Sequence, residues 1–118
     1  MRPIVVIAVL LTLACGSQQH KEEKARDELK SWTATGVVLS SNWSQHRVTD
    51  AYAKKTIDVA IDSLKGLAEP LQSDEKSKQA LTNTTQVYGS LSRAVHNNDR
   101  EDGARASHAF VSIHKQLR

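Results

Sequence analysis

Apolar residues recur along most of this chain at alternating spacings of three and four, the repeat of one face of an α-helix. Ala25, Leu29, Trp32, Gly36, Leu39 and Trp43 form the first such series and predict a helix from about Lys21. Gly36 inside it costs about 1 kcal/mol relative to alanine. Its absent side chain leaves room for a neighbouring helix to approach between the two indoles; simple tolerance of the glycine is the other reading. The second series is Ala53, Ile57, Ala60, Leu64 and Leu67, with Tyr52, Thr56 and Val59 widening the stripe. Thr49 can cap the free N–H groups of its first turn, and Asp50 suits the positive end of the helix dipole. Pro70 disfavours helical backbone at Glu69, so the second helix is expected to stop near Ala68.

Ser73, Asp74 and Glu75 signal the next start. Leu81, Thr84, Tyr88, Leu91 and Val95 form the seam of the third helix, supported by Ala80, Val87 and Ala94. Its middle is weakened by the polar, partly β-branched run 82–85. Asn97-Asn98-Asp99 ends it, and Asn98 with Glu101 three residues on has the spacing of a capping box. The fourth helix carries Ala106, Phe110, Ile113 and Leu117. Four amphipathic segments with short connections predict an all-α fold, a small antiparallel four-helix bundle. A three-helix bundle with a frayed terminal segment is the alternative, and whether the fourth helix packs on the first or the chain crosses over stays open.

Residues 1–15 follow another pattern. Arg2 precedes an uninterrupted apolar run from Ile4 to Leu13, then small Ala14 and the chain's single cysteine, Cys15. That order is a secretory signal: a positive start, an apolar centre and a small residue at the cut. The run is too short to span a bilayer, which takes about 20 residues. Leu11-Thr12-Leu13-Ala14-Cys15 resembles the lipobox of bacterial lipoproteins, with Thr12 where that family most often has leucine. The resemblance implies a diacylglyceryl thioether on Cys15, cleavage between Ala14 and Cys15, and acylation of the new amine. It divides the chain into a signal peptide (1–14), a lipidated cysteine with a polar tether (15–20) and a helical domain (21–118). Gly16 and Ser17 follow, with no aspartate at the second position, which for a Gram-negative source implies the outer membrane, facing the periplasm. Lipidation would also silence a thiol that has no partner for a disulfide in an oxidising compartment.

Composition narrows the function. Removing residues 1–14 leaves 104 residues, enough for one domain, and takes the formal charge from +3 to +2 with the loss of Arg2. Lysines and arginines alternate with acids, as in Lys21-Glu22-Glu23-Lys24, so the clustered basic face of a nucleic-acid binder is missing. With Cys15 modified no disulfide is available, and apolar packing alone must hold the domain.

Candidate chemistry is sparse. The five histidines are His20, His46, His96, His108 and His114. Metal-binding pairs on one helix sit three or four apart, whereas His108 and His114 are six apart and turned about 240° from each other. No His-Glu-x-x-His, Glu-x-x-His or Cys-x-x-Cys-His is present, so neither a metal nor a haem is expected. Asp58 and Asp62 form a carboxylate pair one turn apart, but Lys54, Lys55 and Lys65 around them predict a solvated, salt-bridged face. No nucleophile elbow appears, and the domain reads as non-catalytic. Trp32 and Trp43, eleven residues apart, are rotated by only about 20° and lie roughly 16 Å apart on one stripe. Their register with Leu29 and Leu39 favours the core, and exposure would make them anchors for a partner. A pocket between Trp32 and Tyr52, or an inward histidine, would point to a small-ligand, metal or haem carrier. A filled core with apolar residues outside would point to an interaction module. The expectation is a lipid-anchored cell-envelope lipoprotein, held on the membrane through the lipid on Cys15 and engaging a protein partner.

Overall fold

The computed structural model describes the backbone of residues 2–118 and the side chains of residues 19–118. Four helices follow in order, α1 (Arg2–Ser44), α2 (Asp50–Lys65), α3 (Glu75–His96) and α4 (Arg100–Gln116), with no strand among the described residues. Connections of five, nine and three residues reverse the chain each time, giving the four-helix bundle rather than the three-helix alternative. α1 packs most extensively on α4, α4 on α3 and α3 on α2. α1 meets α2 along a thinner seam and touches α3 across the diagonal, whereas α2 and α4 meet only at their first residues, Asp50 and Arg100. The fourth helix therefore returns antiparallel beside the first: Trp43 lies against Gly103, Gly36 against Phe110, and Thr33 against His114. Gln19 and His20, expected in a polar tether, are exposed and continue the helical backbone of α1.

Helix ends follow from local hydrogen-bond supply. Thr49 caps α2, its hydroxyl accepting from the Tyr52 N–H at 3.1 Å. At α4 the capping side chain is Asp99, which accepts from the Asp102 N–H at 3.1 Å. The expected capping box at Asn98 is displaced by one residue because Asn98 is already engaged in closing α3. It takes a left-handed backbone (φ 54°). Its N–H donates to Val95 O at 3.2 Å, and the Asp99 N–H donates to Ala94 O at 2.8 Å. That pair of bonds is a Schellman turn.

α1 ends the same way at His46, where φ is 62°. The His46 N–H donates to Trp43 O at 3.1 Å and the Arg47 N–H to Asn42 O at 2.8 Å. Left-handed backbone costs a non-glycine residue about 1–2 kcal/mol, and glycine's greater freedom in the unfolded chain offsets part of any gain. His46→Gly is therefore expected to stabilise the fold by about 0.5–1 kcal/mol, read as a raised denaturant midpoint with unchanged slope.

α2 stops at Lys65, three residues before the expected Ala68. Ahead of Pro70 the chain tightens into three-residue turns: the N–H groups of Gly66, Leu67 and Ala68 donate to Ser63, Leu64 and Lys65 carbonyls. This irregular stretch returns Leu67 and Leu71 to the core. Leu71, four residues after Leu67, keeps the spacing of the second series, but it stands beyond Pro70, where the helix was expected to have ended.

Leu29, Trp43, Ile57, Leu64, Leu71, Tyr88, Leu91 and Phe110 fill the centre of the bundle. The inward face of α2 is narrower than its sequence suggests, comprising Ala53, Ile57, Ala60 and Leu64. Tyr52 and Val59, expected to widen that stripe, are 57% and 50% exposed. The reason is geometric: α2 has α3 on one side, a thin seam with α1 on the other, and from α4 only Arg100 at its first residue.

Candidate functional site

The lipobox-like segment, with Ala14 and the proposed lipidation site Cys15, lies outside the residues whose side chains are described. The candidate site among the described residues is the set of aromatics, and the fold sends the three named ones to different places. Trp43 is fully buried at the turn end of the bundle. Its Nε1–H donates to Asp50 Oδ1 at 2.7 Å, and the Arg100 guanidinium lies 4.1 Å from its ring centroid. Arg100 also donates to the Trp43 carbonyl and sits 3.5 Å from Asp50. The end of α1 and the starts of α2 and α4 are thus tied through one indole by a cation–π contact and shared hydrogen bonds. Trp32 is partly buried and meets Tyr88 edge-on, 6.5 Å between centroids at 81°. Tyr52 is exposed on α2. It borders an open groove with Ser31, Ala34, Val38 and Val48 that does not include Trp32. Trp32 and Tyr52 thus do not share this groove.

The residue at the centre is Tyr88, which sequence reasoning placed on a seam without giving it a role. Its hydroxyl donates to the Trp32 carbonyl of α1 at 2.6 Å. Its ring packs on Phe110 with centroids 4.6 Å apart at 59°. Burial raises the phenol pKa above its ordinary value. Phe110 in turn covers Gly36, where a Cβ would stand 2.6 Å from the ring; Gly103 of α4 holds the same relation to Trp43 at 2.7 Å. Gly36 thus admits the neighbouring helix, as its position between the indoles suggested. The answering glycine on α4 could have been suspected from its place one turn before Ala106.

Polar side chains in the interior are satisfied locally. Thr33, Ser40 and Thr84 donate to the carbonyls of Lys30 (2.7 Å), Gly36 (2.6 Å) and Ala80 (2.7 Å). His114 is the inward histidine, half-buried, with Nδ1 2.8 Å from Thr33 Oγ1. Since that hydroxyl spends its proton on Lys30, the bond places the imidazole proton on Nδ1. His20, His46, His96 and His108 are exposed, and no group of three or more metal-ligating side chains occurs among the described residues.

Asp58 and Asp62 are exposed, as expected, but form no ion pair with Lys54, Lys55 or Lys65 among the described residues. The salt-bridged face predicted for α2 is a solvated face of separate charges. Ion pairs gather elsewhere: Arg26 with Glu22 and Asp74 (3.3 and 3.6 Å), and Arg105 with Glu101 (3.1 Å) and Asp102. Asp74 is held below its ordinary pKa chiefly by the Ser77 hydroxyl, and Asp99 chiefly by the Asp102 N–H.

Among the residues with described side chains, the large exposed hydrophobics are Val38, Tyr52 and Val59. All three lie on α1 and α2, and Val38 and Tyr52 line the groove between those helices. Val38 also lines, with Val37 and Val111, a shallow groove of α1 and α4 edged by His114, Lys115 and Arg118. No described helix is long and apolar enough to cross a membrane. The chain matches no known protein family, no curated protein and no solved structure.

Proposed function

We propose that this chain is a small lipoprotein of the bacterial cell envelope, anchored by acyl chains on Cys15, whose helical bundle is a non-catalytic interaction or accessory domain. The observation that carries the anchoring is the order of residues 2–15: basic, apolar, small, then the single cysteine. Several acyl chains would give durable attachment, since each buried CH₂ contributes about 0.8 kcal/mol. In a Gram-negative envelope the bundle would face the periplasm from the outer membrane. The interaction role draws support from a core occupied by large side chains while Val38, Tyr52 and Val59 stay in solvent.

Cys15→Ser tests the anchor. The wild-type protein is expected to begin at Cys15, carry acyl mass and sediment with membranes, and the variant to lose all three properties. Retention of residues 1–14 or a soluble wild-type protein would overturn this reading.

One observation favours a second reading, a carrier of a small ligand, metal or haem. His114 has Nδ1 engaged by Thr33 and lines the groove edged by Lys115 and Arg118. A second shell of this kind orients metal-binding histidines. Titration with haem or zinc, compared with His114→Ala, separates the two readings.

A further inference from the structure

The groove between α1 and α4 is apolar at one end and basic at the other. Val37, Val38 and Val111 floor it, and His114, Lys115 and Arg118 edge it. Gly36 faces Phe110 and Thr33 faces His114, so the three valines gather toward the turn end of the bundle. The basic side chains follow along α4 toward residue 118. The cavity measures about 320 Å³, at the small end of the range for ligand pockets. Val38 is 60% exposed, which leaves its apolar surface free for an occupant.

Charge selects that occupant. No carboxylate lines the groove. Lys115 and Arg118 are exposed and form no ion pair among the described residues. On α1, Lys30 and Asp27 continue the stripe of Ala34 toward residue 20, and their opposite charges offset each other. The acids of α4, Glu101 and Asp102, lie nine or more positions before Val111 and are held by Arg105. A cationic ligand would therefore meet two like charges with no counter-charge beside them. A neutral apolar ligand would leave both cations unanswered. A carboxylate on an apolar tail suits both ends: Lys115 and Arg118 donate to its oxygens while the tail covers the valines.

We infer that the α1–α4 groove binds small amphiphilic carboxylates, head at Lys115 and Arg118, tail along Val37, Val38 and Val111. The inference deepens the carrier reading and rests on it for the groove, yet it uses neither the lipid on Cys15 nor a metal on His114. Membranes holding the full-length protein would be incubated with a decanoate analogue bearing a photoactivatable diazirine on its tail. After irradiation, mass spectrometry locates the labelled peptides. Labelling is expected to saturate on the peptides containing Val37, Val38 and Val111. Free decanoate is expected to displace it, and decyltrimethylammonium at the same concentration to leave it in place.

The double variant Lys115→Glu, Arg118→Glu is expected to label about tenfold less, since two exposed attractions become repulsions. A cationic analogue with the same tail is expected to label that variant better than wild type. Val38→Gln removes part of the apolar floor and is expected to weaken labelling about fivefold. All three positions are exposed, so the variants are expected to fold, and an unchanged helical spectrum confirms it. Labelling that never saturates, spreads evenly along the chain, or yields equally to decyltrimethylammonium overturns the inference. So does a double variant that labels like wild type. If zinc or haem then still titrates His114, the carrier reading stands and only the ligand class assigned here falls; failure of both removes the carrier reading as well.

Discussion

Tyr88→Ala is expected to destabilise the bundle by about 3–5 kcal/mol, the range for removing a large aromatic side chain from a packed core. Domains of this size have only about 5–15 kcal/mol in total, so this change alone brings the fold close to unfolding at physiological temperature. The loss has three separable parts. One is the apolar area of a fully buried ring. Another is the tilted stacking on Phe110 and the edge contact with Trp32. The last is the hydroxyl bond to the Trp32 carbonyl. Tyr88→Phe isolates that last part and is expected to cost about 1 kcal/mol, the net value of one such bond.

The same hydroxyl gives a pH signature. In the unfolded chain tyrosine ionises near pH 10. Burial keeps the folded Tyr88 protonated beyond that point. The unfolded state therefore gains stability by losing a proton that the native state retains. Stability linked to Tyr88 is complete below about pH 10 and declines as pH rises above it. Tyr88→Phe lacks this term. Its deficit relative to wild type is expected to shrink or reverse between about pH 8 and pH 11 in matched denaturant titrations. A constant deficit would mean that the phenol reaches solvent.

Gly36→Ala is the second large effect, and two opposing terms decide it. Alanine gains about 1 kcal/mol in helix propensity over glycine. Against this, a Cβ at 2.6 Å from the Phe110 ring must push that ring or separate α1 from α4. The ring cannot swing aside, because Tyr88 backs it at 4.6 Å. Overpacking of this kind costs about 1–3 kcal/mol, and a contact so short belongs at the upper end, leaving a net loss of about 1–2 kcal/mol. Gly89 supplies the contrast. An added Cβ there approaches nothing closer than the Arg93 guanidinium at 4.0 Å, so Gly89→Ala shows the propensity gain alone. Combining Gly36→Ala with Phe110→Leu is expected to recover part of the loss, and a strictly additive double variant would sink the steric account.

The main lines of this fold were legible because a helix announces itself through period. The seams at Ala25–Trp43, Ala53–Leu64, Leu81–Val95 and Ala106–Leu117 turn inward where their spacing put them. The departures arise where a residue's fate depends on a neighbour that is distant in sequence. Tyr52 and Val59 satisfy the helical repeat, but burial also requires a facing helix, and α4 does not reach them. Leu71 keeps the spacing of the second series but stands beyond Pro70, and it is buried because the turns before that proline fold back. Asn98 carries both cap-like chemistry and left-handed tolerance, and the second prevailed, passing the cap to Asp99. Of the candidate site, Trp43 was legible as core, while its ties to Asp50 and Arg100 depend on the tertiary meeting of two turns. The hydroxyl of Tyr88 finding a carbonyl of α1 has no sequence signal at all.

The sparse contact between α2 and α4, confined to Asp50 and Arg100, also shapes how the molecule comes apart. α1, α3 and α4 touch one another, whereas α2 leans on α3 and a thin edge of α1, with two alanines among its four inward residues. Cooperativity is thus uneven: α2 can detach in a sub-global opening that leaves the other three helices assembled. Amide exchange along the middle of α2 would then be faster than in the other three helices, at a rate set by this opening rather than by global unfolding.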